Sequence, residues 1–247
     1  MPSPLFIDLY QGDNPAPDWG RVWQNKSYAG AIIKATEGLY YPSPNNTWFR
    51  TNWDAIKHFG AYGTKWFRGA YHFLKFNQDG AKQADFYLKA VEGAGGWDVG
   101  DLWPIVDVEM GGERNSNHNA TKEQVEECVE AFVAKIKRSH GRDVMLYGNG
   151  AMRDLGITSK MGCKYLWCPR YTTTLPPYIY RRAGWETTDL WGWQYCGDGT
   201  AYLEGYPKVT PIGKEDITVL TFPGGLEGMR SKLWAENPNS LGANHGN

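Results

Sequence analysis

Eight apolar, strand-like runs are spaced through 247 residues, several of them separated by helical patterns. They predict an α/β protein: an irregular (β/α) barrel of the TIM type, with eight strands and fewer than eight helices. The alternation implies a parallel sheet with right-handed crossovers. Late connections rich in Pro, Thr and Gly imply that some helices are missing from the second half.

Taken in order, Pro4 to Tyr10 reads as the first strand, with Asp8 the single acid in an apolar run. Ala29 to Ala35 is the second, closed by Thr36-Glu37-Gly38. A helix is expected from Trp48 to Phe59, with Gly60 as its C-terminal cap. Phe67 to Leu74 is the third strand, and Ala84, Leu88 and Val91 give residues 81–91 helical spacing. Trp103 to Met110 is the fourth strand, carrying Asp107 and Glu109 on one face. Thr121 and Gln124 fit an N-terminal cap, opening a helix to about Ser139 with an apolar stripe from Val125 to Ile136. Asp143 to Gly148, Lys164 to Pro169, Asp189 to Cys196 and Glu215 to Leu220 are strands five to eight. The barrel is assigned to residues 1–222. Residues 223–247 form a tail with one short helix over 226–234 and no separate domain.

Composition narrows the function classes. A net charge of −1 gives no electrostatic case for nucleic acid or an anionic membrane. No run approaches the length of a membrane span. The start of the chain lacks a basic region followed by an apolar core, so no secretory signal is expected. Cys128, Cys163, Cys168 and Cys196 show no zinc spacing and are expected as buried thiols. No glycine-rich phosphate loop follows a strand, and no histidine stands at metal-ligand spacing, so neither cofactor nor metal is expected. The unusual feature is the aromatic content, twelve Trp and fifteen Tyr, which suits either a packed core or flat walls for sugar rings.

Placed in barrel order, Asp8, Asp107, Glu109 and Asp216 fall on strands one, four and eight. Active sites of parallel barrels form where the C-terminal strand ends and their loops converge. Burying acids there is costly unless hydrogen bonds, a cation or a reaction requires them. Crowded carboxylates with apolar walls suit glycosidic bond hydrolysis, in which one carboxyl must keep its proton and another must be ionised. Glu109 is longer and last in the strand, which makes it the expected acid. Asp107 sits one layer deeper, suited to orienting or stabilising. His72, on the opposite face to Tyr71, reads as a core histidine. Trp191, Trp193 and Tyr195 share a face as either a packed layer or a sugar platform. Gln194 is hard to explain as core.

These residues carry a family resemblance. The chain resembles the glycoside hydrolase family 25 muramidases, the Chalaropsis-type lysozymes of bacteria, fungi and phages. The matching pieces are Phe6-Ile7-Asp8, Gln11-Gly12, Asp18-Trp19, Ile33 to Gly38, Asn52, and Gly69 to Phe73. Asp107-Val108-Glu109, Leu146-Tyr147-Gly148, Leu166-Trp167 with Tyr171, Trp193-Gln194-Tyr195 and Asp216 complete them, in the family's order over residues 5–220. The last strand departs from the pattern: Ile217-Thr218 follows Asp216 where Asp-x-Asn is frequent.

The resemblance implies cleavage, with retention, of the β-1,4 bond between N-acetylmuramic acid and N-acetylglucosamine in bacterial peptidoglycan. It makes Glu109 the general acid and Asp107 its partner, as nucleophile or as orienter of the 2-acetamido group. Asp8 and Asp216 complete the catalytic acids. Tyr71, Tyr147, Trp167 and Gln194 would line the sugar site, and Glu37 would face the cleft. Other readings are a glycan-binding barrel without turnover and a chitinase-like glycosidase. The latter's D-x-x-D-x-D-x-E pattern would need acids where Leu102 and Ile105 stand. A monomer is expected. A phage endolysin would reach the wall from the host cytoplasm; a virion-borne enzyme or non-classical secretion are the other routes.

Overall fold

The computed structural model describes residues 3–25, 27–42, 46–61, 66–171, 179–197, 200–201, 203, 205–206 and 214–236. Nine strands are described: β1 (Leu5–Leu9), β2 (Tyr28–Glu37), β3 (Phe67–Phe73), β4 (Ile105–Asp107), β5 (Met145–Tyr147), β6 (Tyr165–Pro169), β7 (Leu190–Gly197), β8 (Thr200–Ala201) and β9 (Asp216–Leu220). β1 to β7 pair in sequence order, all parallel. β9 closes the ring between β7 and β1, and β8 is a short ribbon folded back on β7. The result is a closed eight-stranded barrel, as expected, with one difference: β9 is antiparallel to both neighbours. The reason is its connection. No helix is described between β7 and β9, so the chain is not carried back to the base before pairing again.

Among the described residues six α-helices accompany the strands: α1 (Trp19–Gln24), α2 (Trp48–Ala61), α3 (Gly80–Gly93), α4 (Lys122–His140), α5 (Gly150–Asp154) and α6 (Gly225–Ala235). α4 begins with the expected capping box of Thr121 and Gln124 and ends on Gly141 at a φ of 72°. α2 runs on through Gly60, the expected cap, to Ala61. The short α1 and α5 carry too few turns for a periodic signal. None of the described helices is long and apolar enough to cross a membrane.

Strand residues alternate between two cores. The outer one joins Ile7, Ile33, Ala70, Val106, Leu146 and Leu166 to the helices. The inner one fills the barrel base with Phe6, Ile32, Phe67, Ile105, Met145, Tyr165, Trp191 and Leu220. α6, expected as a helix in a tail, contributes Met229 and Leu233 to this inner core and stoppers the base. Trp103 Nε1 donates to Glu236 Oε2 at the helix end. Residues 237–247 lie outside the described part. The four cysteines are all buried thiols. His72 is fully buried against Phe132, bonded to Thr36 and Gln83, and burial lowers its pKa to about 4. It is the core histidine the sequence suggested.

Arg68 ties the base of β3 to its surroundings through ion pairs with Asp98 and Asp101, both at 2.8 Å. Buried Arg68 forks onto Asp101 through Nε and Nη2, and its guanidinium lies 3.9 Å over the Trp53 ring. Nη1 donates to Trp53 O and Nη2 to Gly96 O. Removing one partner of a buried pair leaves the other charge uncompensated. Arg68→Met is expected to lower unfolding free energy by about 3–5 kcal/mol, read as a lower urea midpoint.

Candidate active site

Above the inner core, at the C-terminal ends of the parallel strands, the barrel opens into a cleft of about 230 Å³. Asp8, Asp107, Glu109 and Asp216 all line it, with Tyr71, Tyr147 and Trp167. β4 ends at Asp107, so Glu109 stands in the loop just past the strand and not within it. Alternation continues through the gap because Val108 N still bonds Tyr147 O at 2.9 Å. The Asn117 amide fixes the loop further, donating to Glu109 O at 3.0 Å and to Leu74 O at 2.7 Å. Gly148, at a φ of 139°, lets the Val108 carbonyl come close. A Cβ there would stand 2.6 Å from that oxygen.

The antiparallel strand explains how Asp216 joins the cluster. It is the first residue of β9 and pairs directly with Asp8, so a strand's start meets the ends of the others. Between the two acids lies Gln194, whose Nε2 donates to Asp8 Oδ2 at 3.0 Å and Asp216 Oδ2 at 3.1 Å. Its Oε1 accepts from Tyr147 Oη at 2.7 Å and Tyr171 Oη at 3.1 Å. Both donors and both lone pairs of the amide are thereby used. Gln194 is buried and its amide is committed to protein, so it braces the floor of the cleft.

Gln194 reaches the interior because β7 slips in register between Leu190 and Gly192, against Leu166 and Trp167 of β6. The slip changes the phase of the strand. Trp191 joins the inner core, while Trp193 and Tyr195 join the outer one. The three aromatics expected to share a face do not, and none of them lines the cleft. Trp167 does: its edge is pinned by Nε1 donating to Thr218 Oγ1 at 2.8 Å, and Tyr147 packs against it edge to face at 4.5 Å.

The acids are held away from their usual protonation. Burial raises the Asp107 carboxyl well above the ordinary range. The Glu109 charge adds to this, Lys34 opposes it, and Asp8 and Glu37 push further up. Asp107 Oδ1 is buried with no hydrogen-bond partner among the described residues. Burial also raises Glu109, against the pull of Lys34. Asp8 is raised well above normal by burial and by Asp216, opposed by the Gln194 hydrogen bond. Glu37 goes the other way: burial is outweighed by its bonds to Lys34 and Lys75, which hold it below the usual value. Glu37 is bound up in those ion pairs, and the residue that faces the cleft from β2 is Lys34. Lys34 is absent from the residues expected at the site, although one cation in Ala31-Ile32-Ile33-Lys34-Ala35 is a signal of the same kind as Asp8. Tyr10, Asp13, Asn14, Phe73 and Lys214 also line the cleft without a distinguishing pattern in the sequence.

A closed barrel with coupled carboxylates and aromatic walls at its C-terminal mouth defines the class of barrel-fold glycoside hydrolases. The sequence model of glycosyl hydrolases family 25 matches residues 7–202, and the chain belongs to that family. Lysozyme M1 of Streptomyces globisporus is 31% identical over 186 residues, 72% of this chain. The chain spans 58% of that relative's length. The fold is shared with a family 25 glycosyl hydrolase from Bacillus anthracis, at a TM-score of 0.70 and 24% identity, covering 93% of each chain. It is also shared with the bacterial lysozyme of Streptomyces coelicolor, at a TM-score of 0.70 and 22% identity, covering 96% of this chain and 98% of that one.

The raised Asp107 affinity for protons has a sign. A carboxyl that binds its proton more tightly when folded costs stability as pH rises through the raised value, and costs nothing below the unfolded value. Asp107→Asn is therefore expected to melt above the wild type at neutral pH. The gap should close by about pH 4, the ordinary carboxylate value, as calorimetry at several pH values can show.

Proposed function

We propose that this protein is a lysozyme of the N-acetylmuramidase type. It hydrolyses the β-1,4 bond between N-acetylmuramic acid and N-acetylglucosamine in bacterial peptidoglycan. The observation that carries this reading is the Asp107–Glu109 pair: two buried carboxyls lining one cleft walled by Tyr71, Tyr147 and Trp167, where burial favours the protonated form of each. Family membership and the lysozyme relative support the same substrate.

In this reading the two carboxyls titrate as a unit that keeps one proton after ordinary carboxylates have lost theirs. Glu109, on the loop at the open end, passes that proton to the glycosidic oxygen as the bond to the anomeric carbon breaks. Asp107, deeper in the floor, faces the positive charge that develops on the ring, either directly or by orienting the 2-acetamido group. Asp8 and Asp216, braced by Gln194, close the cleft floor beneath it. Tyr71, Tyr147 and Trp167 offer ring faces and edges to the sugar. Water then adds at the anomeric carbon from the face that the leaving sugar vacated, gives its proton back to Glu109, and leaves the configuration retained.

General acid assistance contributes about 10² to 10⁴ in rate, so Glu109→Gln is expected to lose at least that much activity while keeping its fold. Mass analysis of digested peptidoglycan reads the bond cleaved. New muramic-acid reducing ends support the proposal, and new N-acetylglucosamine ends would make the enzyme a glucosaminidase. Binding without release of ends would make it a glycan-binding barrel. The anomer first formed, read by NMR during digestion, tests retention.

A further inference from the structure

Lys34 and Glu37 are three residues apart on β2, a spacing that puts side chains on opposite faces of a regular strand. Here they form an ion pair at 2.5 Å. The cause is an irregularity in the β2–β3 register, where Lys34 pairs with Tyr71 but Thr36 pairs with His72. One extra residue is accommodated, the phase flips, and Thr36 turns outward to bond His72. Lys34 is left facing the cleft, with Glu37 brought within reach of its ammonium. Glu37 is held in turn by Lys75 at 2.7 Å, and Lys75 by Asn115 at 3.1 Å.

The Lys34 ammonium is boxed in by rings as well. It lies 4.9 Å from the Phe73 centroid and 5.4 Å from those of Tyr10 and Tyr41. Its side chain is only 10% exposed. A cation in such a box has few alternative positions and little solvent screening. Lys214, the other lysine that lines the cleft, is exposed.

We propose that Lys34 is a positioning residue of the cleft. Locked by Glu37 and the three rings, it presents a fixed positive charge to Asp107 and Glu109 and sets the pH window in which that pair holds one proton. The groups around it act in known directions. From β1 and its loop come Asp8 and Asp13, and from β9 Asp216. Tyr71 and Tyr147 face it from β3 and β5, their own ionisation suppressed by burial and by the acids. Lys75 is engaged with Glu37. Among the described residues that line the cleft, Lys34 is thus the one buried cation facing the pair. Its attraction lowers the proton affinity of both carboxyls, while Glu37 raises that of Asp107.

The inference rests on the hydrolase reading for its importance, but the titration can be followed without turnover. ¹³C NMR of the carboxyl carbons in the free protein, assigned through Asp107→Asn and Glu109→Gln, reads the pair directly. Lys34→Met is expected to raise the pair's proton affinity by about tenfold and to move the kcat/KM profile about one pH unit upward. Glu37→Gln is expected to move both downward, because it frees the ammonium and removes a repelling charge. Lys34→Arg keeps a cation and should stay near the wild type. A Lys34→Met titration like that of the wild type, or shifts of the same sign in Lys34→Met and Glu37→Gln, would overturn the proposal. Should Lys34→Met fail to fold, Lys34→Gln takes its place: an upward move of the pair supports the role, and no move or a downward one refutes it. A wild type without turnover at any pH would refute the hydrolase reading, and the carboxyl titrations would still decide the role of Lys34.

Discussion

Four carboxylates taken out of water at one end of a barrel repel each other and lose their hydration, and much of the upper half of this molecule answers that cost. Gln194 commits both amide protons to Asp8 and Asp216. Tyr147 and Tyr171 fix the amide's orientation by filling its oxygen. Asn117 secures the loop that presents Glu109. Asp107 is the exception, with one oxygen buried and no hydrogen-bond partner among the described residues. A buried oxygen in that condition costs stability, and such local cost is a frequent companion of function.

The lower half makes such a site tolerable. Its interior is apolar, aromatic and closed by α6, whose Met229 sulfur receives the Trp191 indole N–H at 3.0 Å. A strand that starts in this apolar plug and ends among the acids has a fixed direction and a fixed face. Phe6 below Asp8, Ile105 below Asp107 and Met145 below Tyr147 are the same arrangement repeated.

That arrangement is why so much could be read from the chain alone. Period-two alternation shows in short runs, so the strands, the inward acids and the inward aromatics were visible at once. What escaped has a common cause. The register slips in β2 and β7 depend on how neighbouring strands meet, and no local pattern announces them. One hid the pairing of Lys34 with Glu37; the other sent Trp193 and Tyr195 to the outer core. The reversed direction of β9 escaped as well, because direction is decided by the connection and not by the composition of the strand. Asp216 was nonetheless assigned to the cleft, since the first residue of a reversed strand occupies the same end as the last residue of a forward one.

The reversed strand also bears on how the chain becomes a molecule. β1 and β9 are the seam of the barrel, and Asp8 meets Asp216 across more than two hundred residues of intervening sequence. Contacts of such separation form late, after the loop-closure cost has been met by other packing. Until the seam closes, β1 and β7 each present an open edge, the kind of surface that recruits other chains. The cleft floor therefore exists only once the chain has been made through β9. The cluster of acids is completed and the open edges are covered in the same closing step.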